Sequence, residues 1–361
     1  MVRISYYISD HGYGHATRSI AIIRRIASSF RDVNIEISCS GPLSFVKRSL
    51  DGTEGISFRD ISNDFGYVTD RDLNISHDTT RMKYERWMDS WDGYVEKEIG
   101  HLTDNGVDMV ISDISPQPFI VADETGIPSM AISNFTWYEI YKDLYPDLPG
   151  LAELKGAYGK ADMGLILPME TGMSPFRRKK RIGLVSREPT TDYHCKRDSL
   201  DVEEQDVLVF FSLGRSVNDA GHVRVKDPLG SPDVKFITFS GYGLEFADMI
   251  VSEEETEGQD FVNASDLVIS KFGYGIVSET LRCGVPMLLT GRDIMEDRKA
   301  LALLEKFGVA KRLKRKDFFK RKLDLDIEEF MHSSKQNYEK IPERYSRDGT
   351  IEVVKEITEL I

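Results

Sequence analysis

Twice in this chain a short apolar run breaks into a glycine turn and then into a helical pattern, once near the start and once in the second half. The later unit is the fuller one. Asp266-Leu267-Val268-Ile269 reads as a buried strand, and Ser270-Lys271-Phe272-Gly273-Tyr274-Gly275-Ile276-Val277 as the turn. Ser278-Glu279-Thr280-Leu281-Arg282 reads as the helix behind it. The unit ends at Gly284-Val285-Pro286, and Met287-Leu288-Leu289 reads as the next strand. The earlier unit runs from Ile4-Ser5-Tyr6-Tyr7-Ile8 through Asp10-His11-Gly12-Tyr13-Gly14-His15-Ala16-Thr17-Arg18 into a helix over 19–28. Such a turn lets backbone N–H groups approach an anion, and the helix N-terminus behind it favours phosphate. Glu279 stands where a carboxylate can accept hydrogen bonds from ribose hydroxyls. The pattern predicts a sugar-nucleotide site.

The rest of the chain repeats the same alternation. Strands are expected at 4–8, 34–39, 56–61, 109–114, 129–132 and 163–167, with helices at 44–50, 81–101 and 116–124. The stretch 168–206 interrupts the pattern with three prolines and the run Arg177-Arg178-Lys179-Lys180-Arg181. Strands resume at 207–211, 235–239, 267–269 and 287–289, and helices close the chain at 327–340 and 351–360. Short apolar strands alternating with helices predict parallel sheets covered on both faces. A length of 361 residues suits two or three domains. The expected fold class is α/β, with two facing Rossmann-like, doubly wound domains and a cleft between them. The N-terminal domain spans 1–175, the linker 176–200 and the C-terminal domain 201–340, and a last helix at about 341–361 packs back on the first domain. In open α/β sheets ligands bind at the carboxyl ends of the strands, so each domain offers one mouth to the cleft.

Net charge is −13, which argues against a nucleic-acid partner. Three widely spaced cysteines, Cys39, Cys195 and Cys283, have no metal-ligand spacing and suit a reducing cytoplasm. The N-terminus enters a strand at once, and no apolar run approaches the roughly 20 residues that span a bilayer. A cytoplasmic protein is expected. Within this acidic chain, Lys311-Arg312-Leu313-Lys314-Arg315-Lys316-Asp317-Phe318-Phe319-Lys320-Arg321-Lys322 is strongly basic. It is either a solvated helix with inward phenylalanines or a peripheral contact with an anionic inner membrane face or a lipid-linked phosphate. The polar segment 65–80 is long enough for an acceptor loop. Trp87, Trp91, Trp137 and Tyr138 either stack on an acceptor or pack the core.

These residues resemble the glycosyltransferase B superfamily, nearest to the inverting transferases typified by the bacterial lipid II N-acetylglucosaminyltransferase and the plant UDP-dependent glycosyltransferases. The run His11-Gly12-Tyr13-Gly14-His15-Ala16-Thr17-Arg18 is also similar to the N-terminal domain of plant L-arabinokinases. By resemblance, Lys271, Phe272, Gly273, Tyr274, Gly275, Ile276, Ser278 and Glu279 form the donor loop. Retaining members place a glutamate where Lys271 stands, so the resemblance implies inversion. Ser212-Leu213-Gly214-Arg215 matches the turn that meets the diphosphate from the other side, and Glu296-Asp297 the pair that meets the sugar hydroxyls. Gly12 and Gly14 belong to the facing turn. The implied donor is a nucleoside-diphosphate sugar, a UDP-sugar before others, with no further cofactor. The implied acceptor is a sugar, a lipid-linked molecule or another small molecule.

Inverting transfer needs a base on the acceptor hydroxyl and positive potential near the departing diphosphate. His15 suits the base, and Asp113, at the end of the 109–114 strand, suits its orienting partner. The plainer readings are helix caps for both residues, and His11 competes for the base. Asp70-Arg71-Asp72 and Asp324-Leu325-Asp326 satisfy a metal-binding triplet, but neither follows a strand pattern, and no metal is assigned to them. Two other functions use the same scaffold: a UDP-N-acetylglucosamine 2-epimerase and a non-catalytic sugar-nucleotide-binding protein. A dinucleotide oxidoreductase is disfavoured because Thr17 stands where the third glycine of its fingerprint belongs.

Overall fold

The computed structural model describes residues 1–70, 73–212, 234–240, 247–252, 254–314 and 327–361. The first sheet contains β1 Val2–Ile8, β2 Val33–Cys39, β3 Ile56–Asp60, β4 Met109–Asp113, β5 Ser129–Ser133, β6 Met163–Ile166 and β7 Lys179–Arg181. Its helices are α1 Tyr13–Ser29, α2 Leu43–Ser49, α3 His77–Asp89, α4 Trp91–Asp104, α5 Gln117–Thr125, α6 Trp137–Leu144 and α7 Leu151–Tyr158. After α8 Tyr193–Ser199 the second sheet is built from β8 Val207–Ser212, β9 Val234–Phe239, β10 Met249–Val251, β11 Leu267–Lys271, β12 Met287–Thr290 and β13 Ala310–Arg312. Helices α9 Gly258–Ala264, α10 Tyr274–Cys283 and α11 Met295–Phe307 lie between these strands, and helices Ile327–Tyr338 and Gly349–Leu360 follow.

Among the described residues every strand pairing in both sheets is parallel, in the orders β3-β2-β1-β4-β5-β6-β7 and β10-β9-β8-β11-β12-β13. Parallel strands need helical crossovers, which cover both faces. That is why β4, β5 and β12 are buried at every residue. The strand order reverses between β1 and β4 and again between β8 and β11. Loops diverge at such switch points and leave a crevice. The turns after β1 and β11 open there, and the pairing of Ile8 with Asp113 brings the end of β4 beside the first turn.

Several elements differ from the sequence expectation. Helix α1 begins at Tyr13 rather than at 19, because Gly12 takes φ +84° and ends the turn early. The helix expected over 81–101 is two helices that meet at Ser90. Lys179–Arg181, inside the basic run read as linker, forms β7 on the edge of the first sheet and pairs with β6. An edge strand tolerates charge, so its composition hid it. The short strands β10 and β13 and helices α6 and α7 also escaped notice.

The C-terminal segment crosses to the first domain. Arg25 of α1 donates to Asp348 and Thr350 at 3.0 Å each, and the Gly183 N–H donates to Glu352 at 2.6 Å. Of the aromatic residues weighed for acceptor stacking, Trp91, Trp137 and Tyr138 are buried in one cluster with Tyr84, Tyr141 and Tyr158. Trp87 packs at its edge and donates to the Asn63 carbonyl. These rings form a core behind the site.

Candidate functional site

The two glycine turns meet. A Cβ added to Gly275 would lie 3.2 Å from the Gly14 Cα and 2.3 Å from Thr17 Oγ1, so the N-termini of α1 and α10 touch across the domain boundary. Neither helix has a side-chain cap or an acid in its first turn. Both therefore present uncapped N–H groups and the positive ends of their dipoles. They open on a cavity of about 470 Å³ lined from both domains, among others by His11, His15, Lys271, Glu279, Arg292 and Glu296.

His15 lies in the first turn of α1, and Arg18 three residues on shares its face. Both reach Asp113. His15 Nδ1 lies 2.7 Å from Asp113 Oδ1, while Arg18 binds the same carboxylate through Nε at 2.5 Å and Nη2 at 2.7 Å. Arg18 Nη2 is also 2.8 Å from His15 Nδ1, but that N–H already has Asp113 as acceptor. The consistent arrangement has His15 Nδ1–H donating to Asp113, which leaves the Nε2 lone pair unprotonated. Burial and the neighbouring Arg18 cation hold His15 below its usual range, against the pull of Asp113, so it is neutral at pH 7. Arg18 and the His15 imidazole hold Asp113 low against the effect of burial. Asp113 is not a helix cap: the cap position of α5 is Pro116, without a side-chain bond.

The network continues into the second domain. Arg18 Nη1 donates to Asn134 Oδ1 at 2.7 Å, and Asn134 Nδ2 donates to Glu296 Oε1 at 3.0 Å. The Arg18 guanidinium also lies 5.1 Å from the Tyr274 ring centroid. Arg18 and Asn134 went unread in the sequence. With the helix start placed at 19, the i, i+3 relation of His15 and Arg18 was hidden.

His11 is locked differently. Its Nδ1–H donates to the Phe65 carbonyl at 3.1 Å, its ring tilts on Tyr67 at 4.3 Å, and burial holds it well below the usual histidine range. The chain passes so close here that a Cβ on Gly66 would lie 2.2 Å from His11 Nδ1; glycine also suits its φ of +70°. His11 lines the cavity without a carboxylate on its ring, unlike His15, whose ring is held by Asp113. Phe65, Tyr67, Thr69 and Leu73 of the expected acceptor loop also line the cavity.

Most residues of the loop read in the sequence as donor-binding line the cavity. Lys271, Phe272, Gly273, Tyr274, Gly275, Ile276 and Glu279 line the cavity, as do Gly12, Gly14 and Ser212. Burial pushes the Lys271 ammonium down to about 7, and Arg292 acts in the same direction. Ser278 does not join them; its hydroxyl donates back to the Gly275 carbonyl at 2.9 Å, a common habit of serine inside helices. Glu296 and Asp297 separate. Successive helix residues face different ways. Glu296 lines the cavity, while Asp297 takes three hydrogen bonds from the Arg292 backbone and guanidinium. Burial and Asp297 push Glu296 up to about 7. Glu279 is ion-paired with Arg187 at 2.7 Å, a partner the sequence did not reveal.

Leu213, Gly214 and Arg215 lie outside the described residues, as do Arg71, Asp72, 315–322 and the 324–326 triplet. Asp70 accepts hydrogen bonds from the Asn74 backbone and side chain. Among the described residues there is no group of three His, Cys, Asp or Glu placed for a metal ion, and no helix long and apolar enough to cross a membrane.

No protein-family model matches the chain. Solved structures align along its whole length. UGT2 of Phytolacca americana, complexed with UDP-2fluoro-glucose and pterostilbene, gives a TM-score of 0.66 at 13% identity and covers 99% of each chain. CalG4, the calicheamicin glycosyltransferase, gives 0.63 at 14% identity and covers 100% of this chain and 98% of its own. The fold is that of the GT-B glycosyltransferases. The spinosyn forosaminyltransferase SpnP gives 0.64 at 13% identity, with 99% of each chain covered. In sequence, the L-arabinokinase of Arabidopsis thaliana is 26% identical over 310 residues, which is 84% of this chain and 29% of that protein. The chain thus spans well under half of the relative it matches.

Proposed function

We propose that the chain is an inverting, metal-independent glycosyltransferase that moves a sugar from a nucleoside-diphosphate sugar, with UDP as the nucleotide, to a hydroxyl acceptor. The observation that carries the proposal is that His15, held from behind by the buried Asp113, lines a cavity onto which two touching, uncapped helix N-termini open. A diphosphate in that cavity meets both dipoles and Lys271, a positive field that requires no ion. The sugar then lies toward Glu296 and Asn134. His15 Nε2 takes the proton of an acceptor hydroxyl as that oxygen attacks the anomeric carbon and the diphosphate leaves with the bonding pair. Asp113 keeps the ring in the basic tautomer and stabilises the imidazolium.

The test is release of nucleoside diphosphate from a panel of UDP-, GDP- and dTDP-sugars with hydroxyl acceptors. General-base catalysis is worth about 10²–10⁴-fold, so His15→Ala should lose at least about a hundredfold in kcat while still binding nucleotide. Equal turnover in the variant would remove His15 from the mechanism. An epimerase is the second reading, and Glu296 favours it: a carboxyl held near 7 inside the cleft can exchange protons with a sugar carbon. Solvent deuterium incorporated into the sugar, with no acceptor required, would select that reading.

A further inference from the structure

Glu279 owes its position to a residue from the chain between the domains. Arg187 follows β7, and its guanidinium forms a fork with two acceptors in the second domain. Nε donates to Glu279 Oε1 at 2.7 Å, and Nη1 donates to the Thr256 carbonyl at 2.5 Å. Both charged side chains are almost fully buried, at 3% and 4% exposure. From the first domain the Phe45 ring lies 5.9 Å from the guanidinium carbon. Glu257, next to Thr256, is held to α1 by Arg24 through two bonds at 2.9 and 2.8 Å. The loop that carries the Thr256 carbonyl is therefore fixed from both sides. Among the described residues Glu279 Oε2 has no hydrogen-bond partner, and both Glu279 and Arg187 line the cavity.

We propose that Arg187 is the positioning residue for ribose recognition: it holds one oxygen of Glu279 so that the other faces the 2′ and 3′ hydroxyls of a bound nucleotide. The proposal rests on the donor-site reading above. Burial holds the Glu279 carboxyl above its usual range, with Glu257 and Asp260 adding to the rise, and Arg187 is the group that opposes this. An ionised, oriented carboxylate accepts from a diol, whereas a protonated one forfeits an acceptor. Lysine cannot replace the fork, because a point charge cannot hold Glu279 and the Thr256 carbonyl in one plane.

The experiment is titration of the full chain with UDP, 2′-deoxy-UDP and inorganic pyrophosphate, repeated on Arg187→Gln and Arg187→Lys. A hydrogen bond to a charged group is worth about 1.5–3 kcal/mol, so wild type should prefer UDP over its 2′-deoxy form by roughly tenfold or more. In Arg187→Gln that preference should fall to about threefold or less, with pyrophosphate affinity retained. A purely structural role would weaken all three ligands together. A folded Arg187→Gln protein that keeps the full preference overturns the proposal and leaves the donor site standing, as does a wild type that never distinguishes the two nucleotides. If the glutamine variant does not fold, undiminished preference in Arg187→Lys overturns it equally. A wild type that binds neither nucleotide defeats the donor-site reading, and this inference with it.

Discussion

At the scale of single residues, the site is a set of buried charges, each balanced by an oppositely charged partner. Arg18 answers Asp113, Arg187 answers Glu279 and Arg292 answers Asp297. Glu296 is pushed up to about 7, while burial and Arg18 hold His15 below the usual histidine range. His15 is lowered from its usual value of 6.5, so it loses its basic form only below that pH. The part of the pH–rate profile that belongs to His15 should therefore fall only below 6.5. A separate step near 7 belongs to Glu296 and should vanish in Glu296→Gln; pH–rate profiles of the two proteins check this. Lys271 supplies another signature. Its ammonium, pushed to about 7 by burial, will be driven back up by a bound diphosphate. Nucleotide binding at pH 8 should then take up a proton, seen as a binding enthalpy that varies with the ionisation enthalpy of the buffer, and the dependence should shrink in Lys271→Met. Lys271 and Glu279 were legible in the sequence because each lies beside a glycine turn. Arg18, Asn134, Arg187 and Arg292 were not. Arg18, Asn134 and Arg187 act through partners far along the chain, and Arg292 meets Asp297 five residues on across a loop-to-helix turn; no periodic pattern marks either kind of contact.

At the scale of elements, the two helices that begin at Tyr13 and Tyr274 do most of the positioning. Their glycines were readable as turns, but their direct contact was not, since it depends on how the domains face one another. Gly14 and Gly275 are small for that contact: a methyl on Gly275 has no room beside the Gly14 Cα and Thr17 Oγ1. Gly275→Ala should force the helix ends apart and weaken nucleotide binding by about tenfold or more, a cost of at least about 1.4 kcal/mol. Gly275→Ala combined with Thr17→Ala should recover part of the loss. Calorimetric titration of the three proteins decides it; full affinity in the single variant would show that the helices need not touch when nucleotide is bound. Strand patterns were legible wherever a strand was buried on both faces, as for β4 and β11. The edge strands β7, β10 and β13 are short or charged and carry no such signal.

At the scale of the whole molecule, ion pairs cross the cleft on two sides. Arg24 meets Glu257 at 2.8 Å and Arg298 meets Asp143 at 2.7 Å. Partly exposed pairs such as these contribute little stability each, about 0–1 kcal/mol, so they guide closure more than they enforce it. We expect the domains to open and close about the chain that follows Val185, because β7 is paired into the first sheet and Gly183 is bonded to Glu352, with the helix Gly349–Leu360 remaining on the first domain. Saturating nucleotide should reduce the radius of gyration measured by small-angle scattering, and an unchanged profile would contradict that motion. The two-domain architecture was legible because its period of strand and helix persists along the chain. The exact seam was less so, because the basic run that resembled a linker contains β7.

The most direct measurement is calorimetric titration of the protein with UDP, GDP, dTDP and NADH, repeated on Glu279→Ala. Selective binding of one nucleoside diphosphate, UDP by this account, and its loss in the variant are the predicted results. Binding of none of them, or of NADH alone, would contradict the assignment of the Gly273–Glu279 loop to a sugar-nucleotide donor.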